Sequence, residues 1–518
     1  MKHTQHGRIT GCTLEQLKIL QIAFREQVVP QGDPDAFEIL ESREYGASYA
    51  LMALAKQLGL PQCLSARSTP WVKPVLAMIV GRLVFAGSKL SLCNQATNTC
   101  LWELTGVEEK PDVDVQCYPA LDQLLARQRQ IQKNLARRHL ASGHLILYDI
   151  TSVYFEGAYN ASDLVKFGYN RDRKKGFEQI VVGLICNGEG CPVGVEVYAG
   201  NTKDETTVVD KIRQIRDDFG IEKIVFVGDR GMVTESTVEA LKDDDELHLI
   251  SALTHGGMRK LLEKKVIQLD LFDEHLTHEV SDPDKPGQRY CLCRNPVTAE
   301  RETQTRKRLL ELTEKELKKI ANYKQKASVE KLGARVGKVL AKYKMGKFIP
   351  WSIEADATHT VSRDHHLSWH IDDQKVDDEK RFDGCYIIST DVDKAAMDTD
   401  TVVHAYKQLT QVERAFRNLK TVQLEIRPVY HKTDERIRAH VFLCMLAYYL
   451  QWHFEQRLAP LFEGDGEGPQ RRWTLQGVID CLKQITRNRV QTQGVEFYQN
   501  SRPNEEQQTI LDLLGVTM

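Results

Sequence analysis

Two short apolar runs that each lead into an aspartate constrain the fold of this chain most strongly. Residues 144–148 (HLILY) precede Asp149, and residues 223–228 (KIVFVG) precede Asp229. Both runs are rich in β-branched or aromatic residues and are bounded by turn residues, which is typical of buried strands. Open α/β sheets place ligands beyond the carboxyl ends of their strands. An aspartate at that position is therefore a candidate ligand-binding residue, although such residues are also common turn formers and helix caps.

A third acidic residue lies on a predicted helix, in the segment YKQLTQVERAFRNLK (residues 406–420). Helical neighbours lie three or four residues apart, so basic and aromatic side chains should surround Glu413. A carboxylate on a basic helix suits a metal-dependent enzyme that acts on a polyanion. The alternative is an ordinary amphipathic helix with salt bridges between its turns. The predicted face comprises Tyr406, Leu409, Glu413, Phe416 and Lys420, flanked by Arg414 and Arg417.

The three acidic residues form a set that chance turn formers explain poorly. Asp149, Asp229 and Glu413 offer the oxygen ligands that a hard cation such as Mg²⁺ prefers. A few carboxylates can hold two such ions about 4 Å apart. The sequence therefore predicts a metal-binding site made of these three residues.

The order Asp149, Asp229, Glu413 resembles the DDE triad of bacterial insertion-sequence transposases. One branch of that group carries the pattern Tyr-x2-Arg-x3-Glu-x6-Lys, which this chain matches at Tyr406, Glu413 and Lys420. Leu409 stands where the arginine is expected, and Arg414 and Arg417 are the candidates to replace it. The stretches YDITSVYFEG, QIVVGL, GDRGM and ERIRAHVFLCMLAYYL are similar to the same branch, so the resemblance spans residues 140–455.

This resemblance implies an α/β fold with a ribonuclease H-like mixed sheet, flanking helices, a large insertion before the glutamate helix and a mainly helical N-terminal region. It also implies two Mg²⁺ ions, replaceable by Mn²⁺, bound by Asp149, Asp229 and Glu413. The implied activity is nicking of the ends of an insertion sequence by metal-dependent hydrolysis, followed by joining of the 3′-OH ends to target DNA. The candidate DNA-binding residues are Tyr406, Lys420, Arg417, Arg414, Arg230, Arg171, Arg173, Lys174 and Lys175.

Several alternatives remain open for these residues and for the function. Arg230 could equally pair with a carboxylate, and the run from Arg171 to Lys175 could equally be a solvated loop. His440 and His453, on a predicted apolar helix at 436–457, are expected to be core histidines rather than ligands. A structure-specific nuclease of the same fold, or a non-catalytic DNA-binding protein derived from a transposase, would share much of this pattern.

The composition indicates the number of domains, the kind of DNA-binding surface and the compartment to expect. The chain has 518 residues, which is enough for two to four domains, and a net charge of −2, so any DNA surface must be a local patch. Its 12 cysteines form no C-x-x-C pair and suit buried thiols in a reducing compartment. The apolar stretches are too short to span a bilayer. We therefore expect a soluble, cytoplasmic prokaryotic protein that acts on double-stranded DNA as a homodimer or larger synaptic complex.

The segment pattern predicts a division into five regions. Within the core we expect a hairpin of strands at 177–186 and 191–198, helices at 202–219 and 234–242, and a strand at 247–253. Arg127, Arg129, Arg137 and Arg138 near the first boundary are candidate phosphate contacts, or else the solvated face of a helical bundle. The regions are 1–140 (mainly helical, candidate DNA-end binding), 141–253 (first part of the catalytic core), 254–383 (insertion with a basic helix at 296–345), 384–460 (second part of the core with the glutamate helix) and 461–518 (helical tail with a helix at 475–488).

Overall fold

The chain forms two compact units in the computed structural model. The first contains residues 1–228, 234–247 and 408–518, and the second contains residues 229–233 and 248–407. The predicted helix at 234–242, part of the one at 202–219, and Arg173, Lys174 and Lys175 lie outside the described residues. The structure describes residues 38–107, 110–141, 143, 145–171, 176–203, 207–208, 212, 215–216, 218–221, 223–230, 232–233, 246–272, 277–322, 328–355, 365–420, 424, 426–427, 429–463, 473–492 and 495–518.

The N-terminal part of the first unit is mainly helical, as predicted. Its helix at Val72–Val84 is buried on nearly every side, which is the behaviour expected of a helix that is apolar all round. One strand precedes the helices, and a π-helical turn at Val113–Cys117 interrupts them. In chain order these elements are β1 (Glu38–Glu44), α1 (Gly46–Gln57), α2 (Leu60–Leu64), α3 (Val72–Val84), α4 (Lys89–Asn94), α5 (Leu101–Thr105), α6 (Tyr118–Ala126) and α7 (Gln128–His139).

A mixed sheet forms the centre of the first unit. Its strand order is β4-β3-β2-β5, in which β2, β3 and β4 are antiparallel neighbours and β5 runs parallel to β2. The predicted hairpin of β3 and β4 is confirmed. Three antiparallel strands with a fourth strand parallel to the first is the arrangement of a ribonuclease H-like sheet. The strands are β2 (Leu145–Tyr154), β3 (Gln179–Asn187), β4 (Pro192–Ala199) and β5 (Ile224–Gly228).

In the second unit, the sheet strands are antiparallel neighbours in the order β6-β11-β8-β7. The predicted insertion thus supplies two strands, β7 and β8, beside the predicted strand β11. Apolar residues of α8, including Met258 and Leu261, pack with Leu292 and Ile387 of this sheet. The elements are β6 (Leu247–Ala252), α8 (His255–Glu263), β7 (His278–Ser281), β8 (Arg289–Arg294), α9 (Pro296–Ala321), α10 (Val329–Tyr343), β9 (Trp351–Ala355), β10 (His365–Trp369), α11 (Asp373–Lys380), β11 (Cys385–Thr390) and α12 (Thr399–Lys407).

The predicted basic helix of the insertion is a pair of helices, α9 and α10, with a core of their own. Leu310 and Leu317 of α9 pack with Val336 and Leu340 of α10, and Leu367 of β10 joins them. Each helix begins at a capping side chain, Asn295 or Ser328, that accepts a backbone hydrogen bond. The charged residues therefore cover the outside of a packed helical hairpin.

The chain then returns to the first unit, where one prediction for the tail is wrong. The predicted helix at 475–488 ends at Lys483, and the residues that follow form β12, which pairs with both β1 and β13. Strand pairing with a distant segment overrides the local helical pattern here. The elements are α13 (Leu409–Lys420), α14 (Asp434–Arg457), α15 (Ala459–Glu463), α16 (Leu475–Lys483), β12 (Thr486–Thr492), β13 (Val495–Asn500) and α17 (Glu505–Leu514).

Two expectations from composition can be compared with these elements. Of the cysteines that the structure describes, all are free thiols, and each is buried except Cys481, which is half-buried. In the part of the chain that is described, no helix combines the length and apolar character needed to cross a membrane.

Candidate active site

Asp149 lies in strand β2, directly after the last residue of β2 that pairs with β5. The parallel pairing of β2 with β5 ends at Tyr148 and Gly228, which are paired with each other. Asp149 and Asp229 each follow directly on one member of this pair. The prediction that the first strand ends at Asp149 is wrong, because pairing of β2 with β3 continues as far as Tyr154. Asp149 is therefore the first residue beyond the β2–β5 pairing rather than a strand end.

Each of the two aspartates accepts a hydrogen bond from the backbone N–H of the residue that follows it. Oδ1 of Asp149 accepts the backbone N–H of Ile150 at 2.7 Å, and Oδ1 of Asp229 accepts that of Arg230 at 2.6 Å. Asp149 is half-buried and Asp229 is exposed. Each carboxylate is thus oriented by its own backbone, which reduces the rotamer freedom that ligand binding would otherwise have to remove.

Glu413 lies on the exposed side of α13, a helix that packs against β2 within the first unit. The buried side of α13 consists of Val412, Ala415, Leu419 and the two residues Leu409 and Phe416. In the described part of the chain, no residue forms a hydrogen bond or ion pair with the Glu413 carboxylate, which leaves it available to a ligand.

The predicted single helix through residues 406–420 is wrong in two respects. It is divided at Gln408, whose carbonyl oxygen accepts the N–H of Gln411 at 2.9 Å, so Tyr406 belongs to α12 and Glu413 to α13. Leu409 and Phe416 of the predicted face are buried, whereas Glu413 is exposed. Leu409 occupies the position of the expected arginine, and its burial explains why an apolar residue is accommodated there.

Tyr406 contacts one of the predicted metal ligands inside the second unit. Its hydroxyl donates a long hydrogen bond of 3.4 Å to Oδ1 of Asp229, the same oxygen that accepts the N–H of Arg230. Groups that bond to a ligand carboxylate orient it and tune its charge. Tyr406 is therefore placed to position Asp229.

For a site in which Asp229 binds Mg²⁺ and DNA is cleaved, as the sequence predicts, replacing Tyr406 by Phe is expected to raise the Mg²⁺ concentration needed for half-maximal cleavage by roughly tenfold, as is usual for a residue that orients a metal ligand. The cleavage rate at saturating Mg²⁺ should fall less. The measurement is a metal titration of cleavage, with Tyr430→Phe as the control because Tyr430 is an exposed tyrosine elsewhere in the chain. Equal metal dependence in wild type and Tyr406→Phe would contradict the positioning role.

The predicted DNA-binding residues differ in how they are held. Arg414 forms an ion pair of 2.9 Å with Glu455 of α14, which fixes α13 to its neighbour. Arg171 lies beside β2, where its Nη1 is 3.4 Å from Oγ of Ser152. Arg417 and Arg230 are exposed, and Lys420 is half-buried.

Three of the four N-terminal arginines are bound to the protein itself, which favours the alternative reading of that region. Arg129 donates to the buried Asp218, and Arg127 donates to Gln123 at 2.6 Å while lying over the Trp71 ring. Arg138 donates to the backbone carbonyl of Leu58 at 2.7 Å, beyond the end of α1. Arg137 is exposed. These contacts tie α7 to its surroundings.

A buried cluster of basic side chains was not predicted from the sequence. Lys89 Nζ lies 2.6 Å from Nδ1 of His440 and 3.2 Å from Nε2 of His431. Nε2 of His440 lies 3.2 Å from the carbonyl oxygen of Ile426, which can only accept a hydrogen bond. Nε2 therefore carries the ring proton, and Nδ1 accepts from Lys89. His440 is a core histidine, as the sequence predicts.

Burial and the nearby Arg82 lower the pKa of Lys89 to about 7. The unfolded chain binds this proton up to a pH near 10.5, so the folded state gains stability as the pH rises from about 7 to about 10. We expect Lys89→Met to flatten this rise, which amounts to a few kcal/mol at most. The measurement is thermal unfolding at pH 7 and pH 9.5, which gives the change in stability between the two pH values. The exposed Lys56→Met is the control, and an unchanged pH slope in Lys89→Met would contradict the assignment.

Comparison with known proteins adds one decisive finding to this geometry. The family model described as the transposase DDE domain matches residues 144–450, more than half of the chain. The chain belongs to the DDE transposase family. The matched segment includes Asp149, Asp229 and Glu413, and proteins of this family use divalent metal ions.

Other comparisons are weaker. No curated protein matches this transposase in sequence. A solved structure of Mos1 transposase, in a paired-end complex with the left transposon end, matches with 11% identity and a TM-score of 0.15, covering 46% of this chain and 68% of that one. The family assignment rests on the match over residues 144–450.

Proposed function

We propose that this transposase binds the ends of an insertion sequence, nicks them by metal-dependent phosphodiester hydrolysis and joins the 3′-OH ends to target DNA. The register of β2 and β5 is the observation that carries this proposal. It pairs the residues directly before Asp149 and Asp229, and α13, which carries Glu413, packs on β2. A carboxylate set of this kind supports hydrolysis without a covalent enzyme intermediate.

The proposed metal ligands are Asp149, Asp229 and Glu413, and the proposed ions are two Mg²⁺, with Mn²⁺ as a substitute. The donor set fits, because all three offer carboxylate oxygens and because Glu413 is exposed and makes no ion pair with any described residue. Bound Mg²⁺ supplies Lewis acidity, which lowers the pKa of an attacking water or 3′-OH and stabilises the leaving oxygen.

The protein's own residues then orient the carboxylates and the DNA. The backbone N–H groups of Ile150 and Arg230 hold one oxygen of each aspartate, and Tyr406 steadies Asp229. The ion pair between Arg414 and Glu455 keeps α13 in place, so we assign Arg414 a supporting role beside its candidate DNA contact. The proposed phosphate contacts are Lys420, Arg417, Arg230, Arg171, Arg173, Lys174 and Lys175.

Joining two ends in one reaction requires two active sites, so we propose that the transposase works on double-stranded DNA as a homodimer or larger synaptic complex in the prokaryotic cytoplasm. The proposed binding to both DNA ends and target should weaken with increasing salt, because each phosphate contact releases counterions.

The test is incubation of the purified full chain and Mg²⁺ or Mn²⁺ with labelled duplexes that carry the element's terminal repeats. Nicking at the 3′ ends followed by joining to a second duplex is the expected result. Cleavage without joining would replace the proposal by a structure-specific nuclease. Specific binding of the ends without cleavage would replace it by a non-catalytic DNA-binding protein.

A further inference from the structure

Three side chains that the proposed reaction does not use meet at one place in the first unit. His139 is the last residue of α7, Cys191 lies directly before β4, and His453 lies near the end of α14. One nitrogen of each imidazole and Sγ of Cys191 all lie within 4.8 Å of one another. These residues are far apart in sequence, so their meeting is a product of the fold.

For Cys191 and His453, the spacing of the two ligand atoms is close to that of two ligands of one metal ion. In a tetrahedral zinc site the Zn–S distance is about 2.3 Å and the Zn–N distance is about 2.0 Å, which places neighbouring ligand atoms about 3.3–3.6 Å apart. Sγ of Cys191 lies 4.0 Å from Nε2 of His453. A contraction of a few tenths of an ångström would bring this pair to ligand spacing.

The surroundings hold each side chain in its place. The N–H of Cys191 donates to Oδ1 of Asn187 at 2.9 Å, so the turn between β3 and β4 fixes the thiol. Nε2 of His139 lies 3.0 Å from the hydroxyl of Tyr449. Metal-binding histidines usually use their second ring nitrogen for such a bond, which sets the ring orientation. Both histidines are half-buried, which leaves a route from solvent, while Cys191 is fully buried.

We propose that His139, Cys191 and His453 form a site for Zn²⁺, with a fourth position filled by water. Two neutral nitrogens and one thiolate are the ligands that this borderline-soft ion selects, whereas Mg²⁺ requires oxygen ligands. On binding, the Cys191 thiol loses its proton to solvent and forms the Zn–S bond. The ion would fasten the end of α7, the β3–β4 turn and α14 together, and it is independent of the metal ions at the carboxylates.

Cobalt spectroscopy distinguishes this site from the carboxylate site. Co²⁺ with a thiolate ligand shows a sulfur-to-metal charge-transfer band and strong tetrahedral absorption, and Co²⁺ held by carboxylates shows neither. We expect both features in the full chain freed of metal by a chelator, and about one equivalent of Zn²⁺ should displace the Co²⁺. The bands should persist in Glu413→Gln.

The variants Cys191→Ser and His453→Gln should each weaken Co²⁺ binding by about 100-fold or more. Zn²⁺ should raise the melting temperature of the wild-type chain but not of these variants. Cys481→Ser, which changes a half-buried thiol, and His370→Gln, which changes an exposed histidine, are the matched controls. If Cys191→Ser fails to fold, His453→Gln provides the test of Co²⁺ binding, because His453 is only half-buried. Lack of the charge-transfer band in wild type, or its persistence in both site variants, would overturn the proposal.

Discussion

Glu413→Gln is expected to slow metal-dependent nicking of the transposon ends by about three orders of magnitude, which corresponds to about 4 kcal/mol in the activation barrier. The substitution keeps the shape of the side chain and removes the negative charge that we propose holds a cation. Since Glu413 is exposed and has no partner among the described residues, the fold should be unaffected. Binding of the DNA ends should also persist.

The measurement compares initial rates of nicking and joining at saturating Mg²⁺ for wild type, Glu413→Gln and a control acid. Glu435→Gln serves as that control, because Glu435 is an exposed glutamate in the first turn of α14. Full activity is expected for Glu435→Gln. Activity of Glu413→Gln near the wild-type rate would remove Glu413 from the proposed site and leave the role of α13 to be found elsewhere.

Asp383→Leu is expected to destabilise the second unit by about 3–5 kcal/mol. Asp383, two residues before β11, is 4% exposed, and both oxygens accept from the Arg306 guanidinium of α9, with Nη1 of Arg306 at 3.0 Å from Oδ2. Thr303 donates to the same carboxylate at 2.6 Å. Removing the acid leaves the Arg306 guanidinium, which is only 11% exposed, without its hydrogen-bonded counter-charge, and this costs more than the pair contributes.

Double substitution separates this charge effect from loss of packing. Arg306→Met combined with Asp383→Leu should recover most of the lost stability, because no isolated charge is left behind. Denaturant unfolding of the full chain, followed by hydrogen exchange in β11 and α9, provides the measurement. The exposed Asp377→Leu is the control. If the double variant is as unstable as Asp383→Leu alone, the buried charge is not the cause.

Local sequence patterns predicted the elements whose partners are close in sequence. The β-branched runs at β3 and β4, separated by the short turn Asn187–Gly190, identify a hairpin because the pairing partner follows at once. The long, largely apolar run of α14 and the basic periodicity of α9 and α10 identify helices from local sequence as well. These features need no knowledge of the tertiary structure.

Features that depend on distant partners were missed. Asp149 resembles a terminating residue, yet β3 continues to pair with β2 beyond it. The predicted helix at 475–488 extends wrongly into residues 486–488, which belong to β12, because the partner strand β1 lies more than 440 residues earlier in the chain. The division at Gln408 is also invisible to helical periodicity, which runs through it without interruption. At the candidate site, the three acids remain a prediction from the sequence, whereas the contact of Tyr406 with Asp229 is visible only in the structure.

The surroundings of α14 affect how this transposase can be divided. All but the last two turns of this helix lie inside the family match, but the helix packs against α1, α3 and α6, which precede residue 144, and against α17 near the C-terminus. A fragment cut at residues 144 and 450 would remove its last two turns and expose the apolar flank of the rest to water. The segment that matches the family model is therefore shorter than the segment that should fold by itself. A minimal active fragment should retain the helices that precede residue 144 and those that follow residue 450.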